Sequence, residues 1–305
     1  MENTKQFKFS MFAKPIELSE DELVLYSSYL GMDKIVKIQK ANKGKVEEWI
    51  NSKVVKYEDD IVLNELISLG YFVDVSTNEK LLRQNLINTI LYDNNLHLVI
   101  HTTEDCNFRC NYCALDFEKR ALDEQVADSI IQFIRKNISK YSSVTISWFG
   151  GEPMLNIGVI ERISNEVIKI CKCAKKPFNA SITTNGYLLT KKNMELLYNC
   201  NVRNYTVTID GNRHTHDKQR HLTNGGPTFD KIIDNLLAIR DNKNLHVNVT
   251  IRTNVTAEIL EDLEDYYKFL DEKFGGDNRF DFFIRLAGDW GGERVKEMKK
   301  SLLSD

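Results

Sequence analysis

The segment EDCNFRCNYC, residues 104–113, places three of the six cysteines of this 305-residue chain within eight positions. Cys106, Cys110 and Cys113 have the spacing C-x3-C-x2-C. Three uses of such a group are open: a structural zinc site, part of a disulfide scaffold, or the ligands of a reactive metal cluster. The rest of the sequence separates these possibilities.

Composition indicates an ordinary globular protein. The chain is 42% hydrophobic and 28% charged, and its formal net charge of −3 gives no general attraction to nucleic acid or anionic lipid. The N-terminus is too polar for a signal peptide, and no stretch approaches the roughly 20 apolar residues of a membrane helix. We therefore predict a cytoplasmic protein without nucleic-acid or membrane partners. In that compartment, clustered cysteines act as metal ligands or reactive thiols more often than as disulfides.

From residue 95 onward, short β-branched runs alternate with apolar residues at helical spacing. The predicted strands are 96–103, 144–149, 178–184, 205–210, 246–253 and 280–287, and the predicted helices are 121–138, 157–173, 190–200, 228–241 and 256–273. This alternation predicts an α/β fold with parallel strands and right-handed crossovers. Six such strands form either a doubly wound sheet or an incomplete barrel.

Unusual polar segments occur at the ends of these predicted strands. In chain order they are the cysteine triplet, GGEP (150–153), TNG (184–186), DG (210–211), RTN (252–254) and AGDWGG (287–292). Barrels and open α/β sheets place their active sites at the carboxyl ends of the strands. We therefore expect these segments to meet at one edge and to form one site.

The first 94 residues have a different pattern. Strand-like segments at 34–38 and 71–75 alternate with helical segments at 45–51 and 59–70. We predict a small α+β domain over 1–94, separate from the repeating part of the chain.

The number of cysteines argues against zinc. A structural zinc site has four ligands, whereas this segment supplies three, and His101 lies within a predicted strand. Four cysteines fill the coordination of a four-iron cluster. Three cysteines leave one iron open, which suits a cluster that binds an outside ligand.

At this point the motifs carry a family resemblance. CNFRCNYC (106–113) resembles the cluster motif of the radical S-adenosylmethionine (SAM) enzymes. GGEP resembles the segment that binds the amino group of SAM. The segments TTNG (183–186), TVTIDG (206–211), HDKQR (216–220) and IRTNV (251–255) resemble those of one branch, the SPASM-type peptide maturases and anaerobic sulfatase-maturing enzymes. The resemblance covers roughly 96–292.

The resemblance implies a radical SAM core over 95–292, built as a partial, TIM-like (β/α)6 barrel. Cys106, Cys110 and Cys113 would hold a [4Fe–4S] cluster whose open iron binds SAM. Reductive cleavage of SAM would then give a 5′-deoxyadenosyl radical. The SAM contacts implied are Tyr112, Gly150, Gly151, Glu152, Pro153, Asn185, Thr208, Asp210, Arg220 and Arg252. No residue stands out as a catalytic acid or base.

Several of these candidates also have ordinary structural interpretations. Asn185 and Asp210 occupy turn-like positions, Arg220 fits a polar surface loop, and Arg252 fits an ion pair in the barrel lumen. Three histidines, His214, His216 and His221, lie near one polar segment and are expected to be solvated. Cys171 falls on an apolar helical stripe and is expected in the core.

The resemblance also predicts partners. A peptide or protein substrate is implied, with a leader-bearing precursor peptide and thioether formation preferred. Sulfatase-type side-chain oxidation is the alternative. Domain 1–94 resembles, more loosely, the winged-helix-like domains that bind leader peptides, and a flavodoxin or ferredoxin would supply electrons. No cysteine follows Cys200, so the auxiliary-cluster region of the branch is missing. Either the chain is a short member without auxiliary clusters, or it is truncated or the product of a split gene. Truncation is the preferred hypothesis, with residues 293–305 expected to be the start of a helix. An inactive peptide-binding form and a zinc-stabilised α/β protein are the remaining alternatives.

Overall fold

The computed structural model describes residues 5–28, 34–91 and 94–288. The chain divides into two compact units, residues 1–93 and 94–305. The predicted AGDWGG loop beyond Gly288 and the predicted helix at 293–305 lie outside the described residues.

In its described residues, the N-terminal unit has two small antiparallel sheets and three helices, which confirms the predicted α+β character. Its elements are β1 (Gln6–Phe9), β2 (Ala13–Ser19), β3 (Glu22–Ser27), β4 (Lys34–Ile38), α1 (Lys40–Asn51), β5 (Val55–Lys56), α2 (Ile61–Ser68), β6 (Phe72–Asp74) and α3 (Glu79–Leu91). The sheets have the orders β5-β1-β6 and β2-β3-β4. Helix α2 begins at Asp60, whose side chain accepts the N–H groups of Val62 and Leu63. Leu25, Leu63 and Tyr71 are buried in the core of this unit.

The second unit contains the strand–helix alternation. Its elements are β7 (Asn95–His101), α4 (Glu124–Asn137), β8 (Ser143–Phe149), α5 (Ile157–Ala174), β9 (Phe178–Thr184), α6 (Lys191–Asn199), β10 (Val202–Thr208), α7 (Arg213–Gln219), α8 (Phe229–Asp241), β11 (Asn248–Val255), α9 (Ala257–Glu261), α10 (Leu263–Leu270) and β12 (Phe280–Leu286). Each of the six predicted strands is present. Among the described residues, no helix combines the length and the apolar character that a membrane crossing requires.

The six strands form one parallel sheet in the order β12-β11-β10-β9-β8-β7. Neighbours in the sheet are therefore neighbours in sequence throughout. A doubly wound sheet reverses its strand order at a switch point, and this sheet has no such reversal. The structure confirms the partial (β/α)6 barrel and rejects the doubly wound alternative.

The hydrophobic core of this unit lies between the sheet and the helices. On β8, Val144, Ile146 and Trp148 are buried, and α5 presents a buried apolar stripe that includes Cys171, as predicted. Alternate residues of the strands face the lumen. Polar side chains dominate that face, among them Ser147, Ser181, Thr206, Thr208, Thr250 and Arg252. The interior of an ordinary TIM barrel is packed with branched apolar residues. The polar lumen here is therefore suited to water and ligands.

Two helix predictions need correction. The predicted helix 256–273 is divided at Asp262 into α9 and α10. The segment 213–219, interpreted from sequence as a loop, forms the short helix α7. It begins at Asn212, whose side chain accepts the N–H of Thr215 at 3.1 Å. Its seven residues are too few and too polar to give a clear helical period.

Candidate active site at the carboxyl edge of the sheet

The cysteine loop is held by a short antiparallel ladder. The N–H of Arg109 donates to His221 O (2.9 Å), the N–H of Asn111 to Gln219 O (3.0 Å), and the N–H of Thr223 to Asn107 O (3.0 Å). Residues therefore alternate between two faces, as in a strand. The more buried face carries Cys106, Phe108 and Cys110, while the residues between them are half-buried.

Arg109 closes the loop from the other face. Its guanidinium donates to Cys106 O at 2.6 Å and to Phe108 O at 2.7 Å, and it lies 4.2 Å from the ring centroid of Phe117. These contacts satisfy two carbonyl groups that lie outside any regular sheet. The conformation of the loop is therefore fixed by residues of the loop itself and by the segment 219–223.

The loop after β8 packs directly against the segment that enters the cysteine loop. The N–H of Gly151 donates to Thr103 O at 2.9 Å, and a Cβ atom at Gly151 would lie only 2.1 Å from Asp105 O. Gly150 has a φ of +126°, and a Cβ there would lie 2.3 Å from Thr103 O. Glycine is required at both positions because the two backbones approach too closely for any side chain.

Glu152 is fully buried, and its carboxylate bonds to the chain itself. Its oxygens accept the hydroxyl of Thr184 at 2.8 and 2.9 Å, the N–H of Asn185 at 2.9 Å and the N–H of Met154 at 3.1 Å. Burial raises the pKa of Glu152, and the hydrogen bonds from Asn185 and Met154 oppose that shift. The carboxylate thus joins the loop after β8 to the end of β9.

A second buried network joins the cysteine loop to β10 and β11. The hydroxyl of Tyr112 contacts both Asp210 and Arg220. Asp210 also accepts the N–H of Asn254 at 2.7 Å, and it lies 3.6 Å from the Arg220 guanidinium. Burial raises the pKa of Tyr112 well above its usual value, so the phenol stays protonated and donates its hydrogen to the carboxylate.

The prediction for His216 was wrong. This residue is fully buried on α7, and its Nδ1 accepts the N–H of Asp210 at 3.1 Å. Burial lowers the pKa of His216 well below its usual value, and the nearby charge of Arg220 adds to that effect. His216 is therefore a neutral acceptor that fixes the backbone after β10.

A cavity of about 390 Å³ opens where these elements meet. It is lined by Cys106, Phe108, Cys110, Tyr112, Cys113, Ala114, Leu115, Phe117, Phe149, Gly150, Gly151, Thr183, Thr184, Asn185, Thr208, Arg220, Arg252, Asn254, Arg285, Ala287 and Gly288. All the sequence-predicted site residues reach it except Glu152, Pro153 and Asp210. Those three lie behind the wall of the cavity, buried and bonded to other parts of the chain or packed among them.

Sequence reasoning missed several residues of the cavity wall. Asn254 lies two residues after Arg252 on β11 and its Nδ2 bonds to Tyr112 and Asp210, each at 3.2 Å. Arg285 lies beside Asn254 in the register of β12. The sequence did carry a signal for Asn254. Residues i and i+2 of a strand share a face, so the pattern places Asn254 on the same face as Arg252.

The three thiols line the cavity as free cysteines. Asn185 Nδ2 lies 3.7 Å from Cys106 Sγ, and burial raises the pKa of the Cys106 thiol to about 12. Within the described ranges, no three His, Cys, Asp or Glu side chains converge on the position of one metal ion. A four-iron cluster binds each thiolate at a different iron, so the donors fit a cluster in their chemistry.

Comparison with known families identifies this arrangement. The model of the Radical SAM superfamily matches residues 100–270, which is more than half of the chain. The chain belongs to the radical SAM superfamily. The matched range runs from β7 to α10 and includes the cysteine loop. Enzymes of this superfamily use a [4Fe–4S] cluster and SAM, which confirms the predicted cofactors and enzyme class.

Two curated relatives have different activities in their names. The radical SAM cyclopropyl synthase TigE of Paramaledivibacter caminithermalis is 25% identical over 211 residues, covering 60% of this chain and 42% of that protein. The GTP 3′,8-cyclase of Staphylococcus carnosus is 26% identical over 211 residues, covering 63% of this chain and 58% of the cyclase. The chain thus spans about half the length of these radical SAM relatives.

A solved radical SAM structure shares the fold. Native anSMEcpe with bound AdoMet and Kp18Cys peptide superimposes with a TM-score of 0.54 at 20% identity, covering 63% of this chain and 52% of that one. At this identity the likeness establishes a common barrel architecture.

Proposed function

We propose that this radical SAM protein modifies a peptide substrate and that Cys106, Cys110 and Cys113 are its cluster ligands. The observation that carries the proposal is the cavity at the carboxyl edge of the sheet, where the three thiols face the ends of β8 to β12. When bound and reduced, the cluster and SAM supply a 5′-deoxyadenosyl radical for hydrogen abstraction. A flavodoxin or ferredoxin is the proposed source of the electron.

Different residues of the cavity are assigned different roles in binding SAM. Arg220 is nearly fully buried and reaches the cavity, and its Nε has no hydrogen-bond partner among the described residues. A guanidinium forks onto a carboxylate, so we assign it the carboxylate of SAM. Asn185 and Thr208 present polar groups on the same wall. Tyr112 and Asp210 hold Arg220 in position.

Gly150 and Gly151 have a different role. Both line the cavity without side chains, so their backbone is open to a ligand. Glu152 and Pro153, which the sequence suggested as direct contacts, are assigned to the support of this segment. Glu152 keeps it attached to β9 through Thr184 and Asn185.

The peptide substrate is supported by the polar lumen and by the resemblance to the maturase branch. Thioether formation is the preferred reaction, and side-chain oxidation of the sulfatase-maturase type is the alternative. We also propose that residues 1–94 form the domain that binds the leader of a precursor peptide. The sequence similarity to the GTP 3′,8-cyclase of S. carnosus makes a nucleotide the second candidate substrate.

The test begins with SAM cleavage. The full chain is reconstituted anaerobically with iron and sulfide, reduced with dithionite and given SAM, and 5′-deoxyadenosine is measured by mass spectrometry. We expect product from the wild type and none from Cys110→Ala. Cys171→Ala, which removes a buried core thiol remote from the cavity lining, is the matched control and should retain product.

The substrate is tested in the same reaction. Cysteine-containing peptides and GTP are added separately, and the change in 5′-deoxyadenosine and the mass of each candidate are measured. A peptide that loses two hydrogens supports thioether formation or side-chain oxidation. Fragmentation then distinguishes a cross-link from an oxidised side chain. Conversion of GTP without any change in peptides would show that the peptide proposal is wrong.

A further inference from the structure

Arg252 is a charged group in the cavity wall to which the proposed function assigns no group of SAM, although the family resemblance implied a SAM contact there. It lies on β11, beside Thr208 of β10 and Phe283 of β12. Its Nε is buried without a hydrogen-bond partner, and no acid pairs with its guanidinium among the described residues. Burial lowers the pKa of Arg252 below its usual value. A cation in this environment is stabilised when an anion joins it.

The charges around the cavity are unequally distributed. Three arginines line it, Arg220, Arg252 and Arg285, and none of the described lining residues is an aspartate or glutamate. Asp210, behind the wall, lies 3.6 Å from Arg220. SAM carries one carboxylate, which the proposed function gives to Arg220. SAM itself therefore supplies no carboxylate for Arg252.

We propose that Arg252 binds a side-chain carboxylate of the substrate, so that the enzyme selects peptides with a glutamate or aspartate near the modified residue. This inference rests on the proposed function, in which a peptide enters the cavity. Arg285, on the neighbouring strand, adds positive potential on the same side of the lumen. The planar fork of a guanidinium matches the two oxygens of a carboxylate.

A single carboxylate fits this position better than a polyphosphate. No lysine lines the cavity among the described residues, although lysine is common in phosphate sites. The three or four negative charges of a nucleoside triphosphate exceed the two positive charges of Arg252 and Arg285. Asn254 and Thr208, on the same face, offer neutral hydrogen-bond groups that suit a peptide.

The experiment measures binding and turnover separately. Two libraries of N-acetylated, C-amidated hexapeptides carry glutamate or glutamine at one fixed position and no other acidic residue. Each is equilibrated by dialysis against the anaerobically reconstituted full chain with SAM, and the bound fraction is measured by mass spectrometry. We expect about a tenfold preference of the wild type for the glutamate library, the usual size of one charge-assisted contact.

Variants assign that preference to Arg252. Arg252→Gln should abolish the preference for the glutamate library, so that both libraries bind equally. Arg252→Lys should keep part of that preference, because the positive charge remains without the planar fork of the guanidinium. Arg162→Gln removes an exposed arginine of α5 and should leave the ratio unchanged. Since the readout is a ratio, a general loss of affinity in one variant does not imitate the expected result.

Equal binding of both libraries to the wild type would overturn the inference, as would a preference that persists in Arg252→Gln. Displacement of the bound peptides by sodium tripolyphosphate in the wild type but not in Arg252→Gln, without selection for glutamate, would also overturn it. Turnover of each library, measured as 5′-deoxyadenosine formation and as the change in mass of the peptides, tests the proposed function. If neither library changes 5′-deoxyadenosine formation or its own mass, and the cysteine-containing peptides of the preceding test do not either, the peptide proposal fails. If both respond equally, the carboxylate inference alone fails.

Discussion

Glu152 and Arg252 are two charged groups near the same cavity that differ in how their charge is satisfied. Glu152, after β8, accepts bonds from Thr184, Asn185 and Met154 and lies behind the wall. Arg252, on β11, has no such partner among the described residues and reaches the cavity. A buried charge with a full set of hydrogen bonds holds structure together, whereas one without them is available to a ligand. The β8–β9 side of the site is therefore built by the chain, whereas the Arg252 guanidinium on β11 is left open to a ligand.

The largest effect is expected from Glu152→Ala. The change leaves the Thr184 hydroxyl and the N–H groups of Asn185 and Met154 without their acceptor. Each orphaned buried donor costs about 1–3 kcal/mol, so the free energy of unfolding should fall by about 3 kcal/mol or more. Chemical denaturation measures this change, and Glu152→Gln, which keeps one oxygen, should lose less. A loss below about 1 kcal/mol for the alanine variant would show that the β8–β9 side is not built on this carboxylate.

Gly151→Ala should have the next largest effect. The new Cβ would lie 2.1 Å from Asp105 O, which forces the loop after β8 away from the cysteine loop. We expect a loss of about 1–3 kcal/mol and less iron bound per chain after reconstitution. Gly158→Ala on α5 is the matched control, since nothing lies within 4 Å of its Cβ position, and alanine favours a helix. Equal iron content in the two variants would contradict the close approach.

The buried His216 gives a smaller effect that depends on pH. Its pKa is lowered in the folded state, so the unfolded chain takes up the proton near pH 6.5 while the folded chain does not. Folding stability should therefore fall as the pH drops below about 6.5, by about 1.4 kcal/mol between pH 7.5 and 5.5. Urea denaturation at both values measures this, with His216→Gln expected to show a flatter profile. Parallel profiles would mean that His216 is not the responsible group.

The smallest effect on stability is expected at Arg252. Because no bond to the described chain is lost, Arg252→Gln should change the free energy of unfolding by less than about 0.5 kcal/mol, or raise it slightly. Arg279→Gln is the contrasting control, since Arg279 pairs with Asp277 at 2.7 Å and donates to three carbonyl groups. It should cost about 2 kcal/mol. If both arginines prove equally costly to remove, the difference between satisfied and open charges is not real.

Features that depend on local sequence could be predicted, whereas contacts between residues far apart in the chain could not. The six strands and the position of the cysteine loop follow from alternation and spacing, which are local properties, whereas the barrel was implied by the family resemblance. Glu152 was expected to face a ligand, because nothing local shows that Thr184 and Asn185, 32 and 33 positions later, supply its donors. His216 was expected in water for the same reason. Its partner, the N–H of Asp210, becomes apparent only once α7 is seen to fold back on β10.

Other features that sequence reasoning missed, such as Asn254, do have a signal in the local sequence. Asn254 belongs to the RTN segment and shares a face with Arg252, so the period of a strand pointed to it. Within the described part of the first 91 residues, the sequence predicted two of the six strands. β1 and β5 are short and β2 is mostly exposed, so alternation does not reveal them. β3 alternates between half-buried and buried residues, so the period of a strand did point to it.

The ladder between the cysteine loop and residues 219–223 has a consequence for how a metal cluster would be assembled. Three backbone hydrogen bonds, together with Arg109, hold the loop through contacts of the chain itself. The conformational entropy of ordering the loop backbone from Asn107 to Asn111 is thus lost when the barrel folds, and not when iron arrives. The loop is preorganised for its ligand. Loss of the cluster should then be a local event, after which the folded barrel can be loaded again.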